Sequence, residues 1–283
     1  MTIATKISSF TTRLEHLSRP RIKRIRQRLV RPFNGDAPKL NLFVAGAQRS
    51  GTNMVMDLLE RSAQTEVFHE RDPRAFDNYE LRSDDVIESL ARRSPAPKVV
   101  FKALCESQDV GRLIQRFAPA QAIWVYRDYE ATVRSHVRKW TGMPSTMRII
   151  VEEGGTDGWR GRGMSAETRE FIEGCYHDDL NNESACALFW YMRNVLFFEQ
   201  ALEQDSRCRL VSYNRLMTET KASARDIFDF AGLRFHPGYC RFVTPDRAAT
   251  RETDALPIDS RIREACDNLL LRLEASLVPL RGD

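Results

Sequence analysis

Short apolar runs alternate with stretches of helical periodicity from Leu40 to Leu273, the pattern of a layered α/β sheet. Leu40 to Ala45 is apolar and ends in Gly46, and after Thr52 the residues Met54, Val55, Leu58 and Leu59 recur at helical spacing. Strand, loop and helix are therefore predicted in that order. Further strands are predicted at Val99 to Phe101, Ala122 to Tyr126 and Leu210 to Val211. Helices are predicted over Asn53 to Arg61, Asp84 to Arg92, Val110 to Arg116, Glu130 to Trp140, Ala185 to Leu202, Thr218 to Ala231 and Arg261 to Leu273. Strands separated by helices pair in parallel, so the expected fold is α/β, one domain with a mostly parallel central sheet flanked by helices. Residues 141 to 182 interrupt the pattern with Gly142, Gly154, Gly155, Gly158, Gly161 and Gly163, which predicts an irregular insert or lid where substrate choice would reside.

Composition refines this picture at the amino terminus. The chain of 283 residues is 42% hydrophobic and 29% charged, enough to bury a core and unlike a disordered polymer. Its net charge of +4 is uneven, because residues 1 to 34 hold nine Lys or Arg against Glu15 alone. Residues 1–38 read as a basic arm and linker, and residues 39–283 as the globular domain. Between Arg19 and Arg31, Ile22, Ile25 and Leu29 fall at helical spacing among seven basic residues. That segment, 19–31, would pack on the domain or touch an anionic membrane surface, and both readings stand. The acidic balance of the remainder gives nucleic-acid binding no encouragement. The six cysteines form no C-x-x-C pair and read as reduced, buried hydrophobes, so no metal site is expected. With no signal peptide and no long apolar run, the expected location is cytoplasmic, with peripheral contact at the inner membrane surface through the arm.

The chemistry begins at Gly46-Ala47-Gln48-Arg49-Ser50-Gly51-Thr52, between a strand and a helix. There, free backbone N–H groups and the helix dipole favour an anion. Gly46 and Gly51 have the spacing of a nucleoside-triphosphate P-loop, but Thr52 and Asn53 stand where that loop has Lys and Ser or Thr. The basic residue is inside the loop, as Arg49. A second candidate, Ile123-Trp124-Val125-Tyr126-Arg127-Asp128, is an apolar strand ending in a charged pair, with Ser135 and Lys139 on the helix that follows. Asp128 as a helix cap and Arg127 as a solvated strand-end charge are the bland alternative.

Gln48-Arg49-Ser50-Gly51-Thr52 resembles the 5′-phosphosulfate loop of sulfotransferases that use 3′-phosphoadenosine-5′-phosphosulfate (PAPS), with Gln48 in place of the family's proline. The segment from Arg127 to Ser135 resembles their 3′-phosphate motif, with Tyr129 in place of a frequent proline. The resemblance implies a P-loop-like sulfotransferase fold and PAPS as co-substrate, without a metal. It implies that Arg49, Ser50, Gly51, Thr52 and Asn53 hold the 5′ end and that Arg127, Ser135 and Lys139 hold the 3′-phosphate. Tyr213, in Val211-Ser212-Tyr213-Asn214-Arg215-Leu216, would lie near the adenine or simply pack. Trp190 reads as core, and Thr244 to Arg251 would supply final nucleotide contacts.

Glu70 lies 21 residues after Arg49, the place of the catalytic glutamate in tyrosylprotein-type sulfotransferases and bacterial relatives. It is the preferred base, with His69 as rival, and a surface pairing of Glu70 with Arg71 or Arg74 is the bland alternative. Lys102, at the end of a strand, would steady the leaving oxygen together with Arg49. Leu104 stands where cytosolic members carry a catalytic histidine, which turns the reading towards Glu70 or His69. The acceptor would bear a hydroxyl, with a carbohydrate as first choice. Two other functions stay open: a P-loop nucleotide kinase or NTPase-like phosphotransferase, and a non-catalytic nucleotide or membrane-surface binding module.

Overall fold

The first apolar run forms β1, Leu40–Gly46, and alternate residues of it enter opposite layers: Leu42 and Val44 on one face, Phe43 and Ala45 on the other. Burial on both faces is what a central parallel strand requires. The computed structural model describes residues 39–153, 158–243 and 254–280. The basic arm with its segment 19–31, Gly154, Gly155 and Thr244 to Arg251 lie outside the described residues.

In chain order, β2 is Thr65–Phe68, β3 Phe76–Asp77, β4 Glu80–Leu81, β5 Lys98–Phe101, β6 Ala120–Tyr126 and β7 Cys208–Ser212. Five of them make one parallel sheet in the order β2-β5-β1-β6-β7, and β3 and β4 form a small antiparallel hairpin. The chain leaves β1 towards β2 and β5 on one side, then crosses to β6 and β7 on the other. The step between β1 and β6 is thus a topological switch point, and the carboxyl ends of these strands open onto a shared crevice.

Helices cover both faces. They are α1 Thr52–Glu60, α2 Asp84–Arg93, α3 Val110–Arg116, α4 Tyr129–Val137, α5 Met143–Glu152, α6 Ala166–Cys175, α7 Asn182–Glu199, α8 Tyr213–Thr218, α9 Thr220–Phe230 and α10 Ser260–Ala275. Val55, Leu58, Leu216, Ile227 and Phe228 bring α1, α8 and α9 against one face of the sheet. The larger core on the other face is centred on α7, whose Trp190, Leu196 and Phe197 pack with Trp124 of β6 and with Ile262 and Leu269 of α10. Five cysteines are buried, Cys208 is half-buried, and all six are free. None of the described helices is long and apolar enough to cross a membrane.

One expectation is corrected. In its described parts the segment 141–182 is irregular only in part: it carries α5 and α6, and Met147, Ile150 and Ile172 join the large core, while residues 158–165 between the helices stay outside regular structure. The helical periodicity of its apolar residues outweighs the glycines, which fall mostly in the connection between the two helices. Three further elements went unpredicted: β2, the β3–β4 hairpin and the short helix α8.

Candidate active site

Gly46 closes β1 with φ 135°, and a Cβ there would stand 2.1 Å from the Val125 carbonyl oxygen of β6. Only glycine allows the two strand ends to approach so closely. The hydroxyl of Ser107 accepts from Gly46 N–H at 3.1 Å and donates to the Gly46 carbonyl at 2.8 Å, which fixes where the following loop starts. Arg49 then takes φ 66°, a left-handed conformation that costs a non-glycine residue roughly 1–2 kcal/mol. Gly51 follows at φ 91° and caps α1 without any side-chain hydrogen bond to the first turn. The amino terminus of α1 therefore points its dipole into the crevice with no acidic residue in its first turn.

The second sequence motif closes on the first. Arg49 Nε donates to Ser135 Oγ of α4 at 3.0 Å, and the Arg49 guanidinium lies 5.7 Å from the Trp140 ring centroid. Lys139 Nζ sits 4.8 Å over the same ring. Arg127, at the end of β6, lies 4.8 Å over the Tyr213 ring, and its backbone carbonyl accepts from Trp190 Nε1 at 2.9 Å. Burial pushes the Arg127 guanidinium below its ordinary pKa. Asp128 does cap α4, accepting from Ala131 N–H at 2.9 Å, yet Arg127 is half-buried in the crevice rather than solvated. Tyr213 packs so closely on the loop that a Cβ at Gly51 would stand 2.0 Å from its ring.

At the other end of the sheet edge, Glu70 follows β2 and Lys102 follows the neighbouring β5. Their parallel register places Phe68 beside Phe101, so the next residues emerge side by side. Lys102 Nζ donates to Glu70 Oε2 at 2.5 Å and to Asn53 Oδ1 of α1 at 2.8 Å. The lysine is 2% exposed, so its ammonium is held between a carboxylate and an amide oxygen rather than solvated. The surface pairing of Glu70 with Arg71 or Arg74 is not what forms: Arg74 binds Asp72 and Glu66 instead. His69 turns towards Glu60, 3.4 Å away, and with Asp57 these groups approach within 4.8 Å of one another. The hydrogen bond to Glu60 is the main reason that the His69 pKa is raised.

These residues line one cleft of about 910 Å³, in which Arg49, Gly51, Thr52, Asn53, His69, Glu70, Lys102, Arg127, Ser135, Lys139 and Tyr213 all take part. Ser50 stands apart, fully buried beneath the loop with its hydroxyl unpartnered. Arg127 Nε and the Gln48 amide are likewise buried with no protein partner. Trp190 is 1% exposed and belongs to the core.

Several residues of this region carried no signal in the sequence. Tyr79 sits in the β3–β4 turn, Trp159 and Arg160 come from the connection between α5 and α6, and all three line the cleft. Arg193 of α7, fully buried, donates to the carbonyls of Trp159 and Arg160 at 3.1 and 3.2 Å and to Gln108 Oε1 at 3.0 Å. Ser107 and Arg193 lie in unremarkable local sequence, so only contacts across the fold reveal them.

Neither family models nor curated proteins give a match to the sequence. Solved structures do. The sulfotransferase domain from the curacin biosynthetic pathway aligns with a TM-score of 0.52 at 13% identity, covering 81% of this chain and 96% of that one. The sulfotransferase domain from the Synechococcus PCC 7002 olefin synthase aligns at 0.48 and 12% identity, over 82% of this chain and 95% of that one. The mouse sulfotransferase SULT7A1 complexed with PAP aligns at 0.44 and 15% identity, over 85% of this chain and 86% of that one. On the first of these matches, which spans nearly the whole curacin-pathway domain, this chain has the sulfotransferase fold.

Proposed function

We propose that the protein is a sulfotransferase that moves a sulfuryl group from PAPS to a hydroxyl of an acceptor, with a carbohydrate as the leading acceptor class. One observation carries the reading furthest: the Arg49–Ser135 hydrogen bond joins two anion-binding segments 86 residues apart into one cleft, whose far end holds the Glu70–Lys102 pair. Two anion sites in one crevice suit a nucleotide phosphorylated at both ends of its ribose. The sulfotransferase fold of the chain is consistent with this use of the cleft.

The donor supplies a sulfuryl group on a phosphate leaving group: the acceptor oxygen forms the new S–O bond, the bond from sulfur to the phosphate oxygen breaks, and 3′-phosphoadenosine-5′-phosphate departs. The loop from Arg49 to Asn53 binds the 5′ end through backbone N–H groups at the start of α1 and the Thr52 hydroxyl. Arg127, Ser135 and Lys139 bind the 3′-phosphate, and Tyr213 lies alongside the nucleotide. Lys102 and Arg49 place positive charge where negative charge grows on the leaving oxygen. Glu70 accepts the proton of the acceptor hydroxyl. His69 is less suited to this role, because its bond to Glu60 favours the protonated imidazole, which cannot accept a further proton.

The test is calorimetric titration with 3′-phosphoadenosine-5′-phosphate, AMP and magnesium-ATP. The expected result is metal-independent binding of the bisphosphate at least tenfold tighter than AMP, with that preference lost in Arg127→Ala. Equal or tighter binding of magnesium-ATP would overturn the reading and return the loop to triphosphate chemistry.

A further inference from the structure

The sheet order lays the cleft out as a line. Parallel strands stand about 4.8 Å apart, so the crevice runs roughly 19 Å from β2 to β7. The proposed nucleotide residues follow β1, β6 and β7, whereas Glu70 and Lys102 follow β2 and β5. Beyond that pair the cleft continues over Leu104 and Cys105, which are 9% and 4% exposed and form an apolar floor. Burial pushes the Cys105 thiol up to about 12, so it is a neutral wall and not a nucleophile.

Two aromatic and two cationic side chains line this end. Asn78 and Tyr79 form the tip of the β3–β4 hairpin with φ 46° and 71°, a turn whose second position glycine fills without strain. A tyrosine is there instead, 47% exposed, with the Arg71 guanidinium 5.8 Å from its ring. Trp159 and Arg160 also line the cleft, with the Arg160 guanidinium 4.8 Å over the indole. Buried Arg193 fixes this second segment, donating to both of its carbonyls and stacking on Trp159 at 5.3 Å. Among the described residues, Arg71 and Arg160 each meet a ring rather than a carboxylate.

The chain segments that supply the cations separate the two ends. Six cationic side chains line the cleft, Arg49, Arg71, Lys102, Arg127, Lys139 and Arg160, against the carboxylates Asp57 and Glu70. A nucleotide with a 3′-phosphate and a 5′-phosphosulfate carries roughly four negative charges. Asp57 and Glu70 offset two of the six, and Arg49, Lys102, Arg127 and Lys139 belong to the segments proposed for the nucleotide and the leaving oxygen. Arg71 and Arg160 lie outside those segments, beside rings that offer flat apolar faces.

We infer that the end of the cleft beyond Glu70 is the acceptor subsite, and that the acceptor is a ring-bearing hydroxyl compound with a carboxylate or phosphate that Arg71 and Arg160 bind. The inference rests on the sulfotransferase reading and narrows it. The anionic group anchors the acceptor, the rings of Tyr79 and Trp159 flank its body, and its hydroxyl faces Glu70. A sugar acid or a sugar phosphate satisfies this chemistry, and so does a hydroxyaryl acid.

The experiment measures sulfuryl transfer from radiolabelled PAPS to matched acceptors: glucuronic acid with its methyl ester, glucose 6-phosphate with glucose, and 4-hydroxybenzoate with its methyl ester. The anionic member of at least one pair is expected to exceed its neutral partner about tenfold or more in kcat/KM. In the double variant R71Q/R160Q that ratio should fall to near one through a rise in KM, with affinity for 3′-phosphoadenosine-5′-phosphate intact. Anionic acceptors no better than their neutral partners, including no transfer to either, would overturn the inference, and so would a preference that survives in the double variant. Loss of the sulfotransferase reading itself would look different, because the wild-type protein would then fail to bind the bisphosphate.

Discussion

At the scale of single residues, the contact that matters most is Glu70 Oε2 with Lys102 Nζ at 2.5 Å. A carboxylate paired with an ammonium is held in place at the end of its strand. Glu70→Gln keeps the shape and one acceptor oxygen while replacing the carboxylate by an amide that cannot take up the proton. It is expected to lower kcat by about 10²-fold or more and to leave bisphosphate affinity within a few-fold. His69→Gln should keep most of the turnover. Steady-state kinetics on any acceptor that the protein uses would decide: full activity in Glu70→Gln with loss in His69→Gln would transfer the role to the histidine.

At the scale of elements, the cleft is shaped by short connections pinned from behind. Ser107 ties down the end of β1, Asp128 caps α4, and Arg193 holds the segment between α5 and α6. Burial brings the Arg193 guanidinium down to about 10, so it is still cationic at neutral pH and its hydrogen bonds are charge-assisted. Replacing it by methionine fills similar volume but strands the carbonyls of Trp159 and Arg160. Bonds to charged donors contribute roughly 1.5–3 kcal/mol each, so amide exchange across residues 158–164 should accelerate about tenfold or more in Arg193→Met. Exchange in the middle of α7 should not change. Hydrogen-exchange mass spectrometry reads both, and unchanged protection of 158–164 would mean that the segment is held by other contacts.

At the scale of the whole molecule, two buried groups tilt stability with pH in opposite senses. Glu106 accepts from Leu81 N–H at 2.6 Å, but burial dominates and raises its pKa from 4.5 to about 7. The folded chain therefore keeps a proton there that the unfolded chain releases. This contribution is full below pH 4.5 and is lost as the pH rises to about 7. His136, inside the core beside Trp140 and Phe189, is lowered from 6.5 to about 4 by burial. Its contribution is present above pH 6.5 and is lost as the pH falls towards 4. Glu106→Gln cannot ionise, so its Tm relative to the wild type should rise between pH 4.5 and 7 and level off above. A constant difference across that range, measured by calorimetry, would show that Glu106 titrates at its ordinary value.

Much of this was legible in the chain itself. Four of the five strands of the main sheet and seven helices follow from apolar periodicity, because residues two or about three and a half apart share a face whatever the rest of the fold does. The segment around Arg49 was readable for a similar reason: a glycine-bearing loop between strand and helix has local geometry that suits an anion. Edge strand β2, with Thr65 and Glu66 among its four residues, lacks a buried-strand signature, and the glycines between α5 and α6 masked the apolar spacing of Met143, Met147 and Ile150. What only the tertiary structure decided is which distant residues meet. Glu70 reaches Lys102 because β2 and β5 pair in register, Arg49 reaches Ser135 because β1 and β6 are neighbours, and Arg193 reaches the segment at Trp159 through the core. Local sequence sets the faces of each element, whereas these meetings depend on crossover connections and sheet order, which are free energies of the whole packed chain.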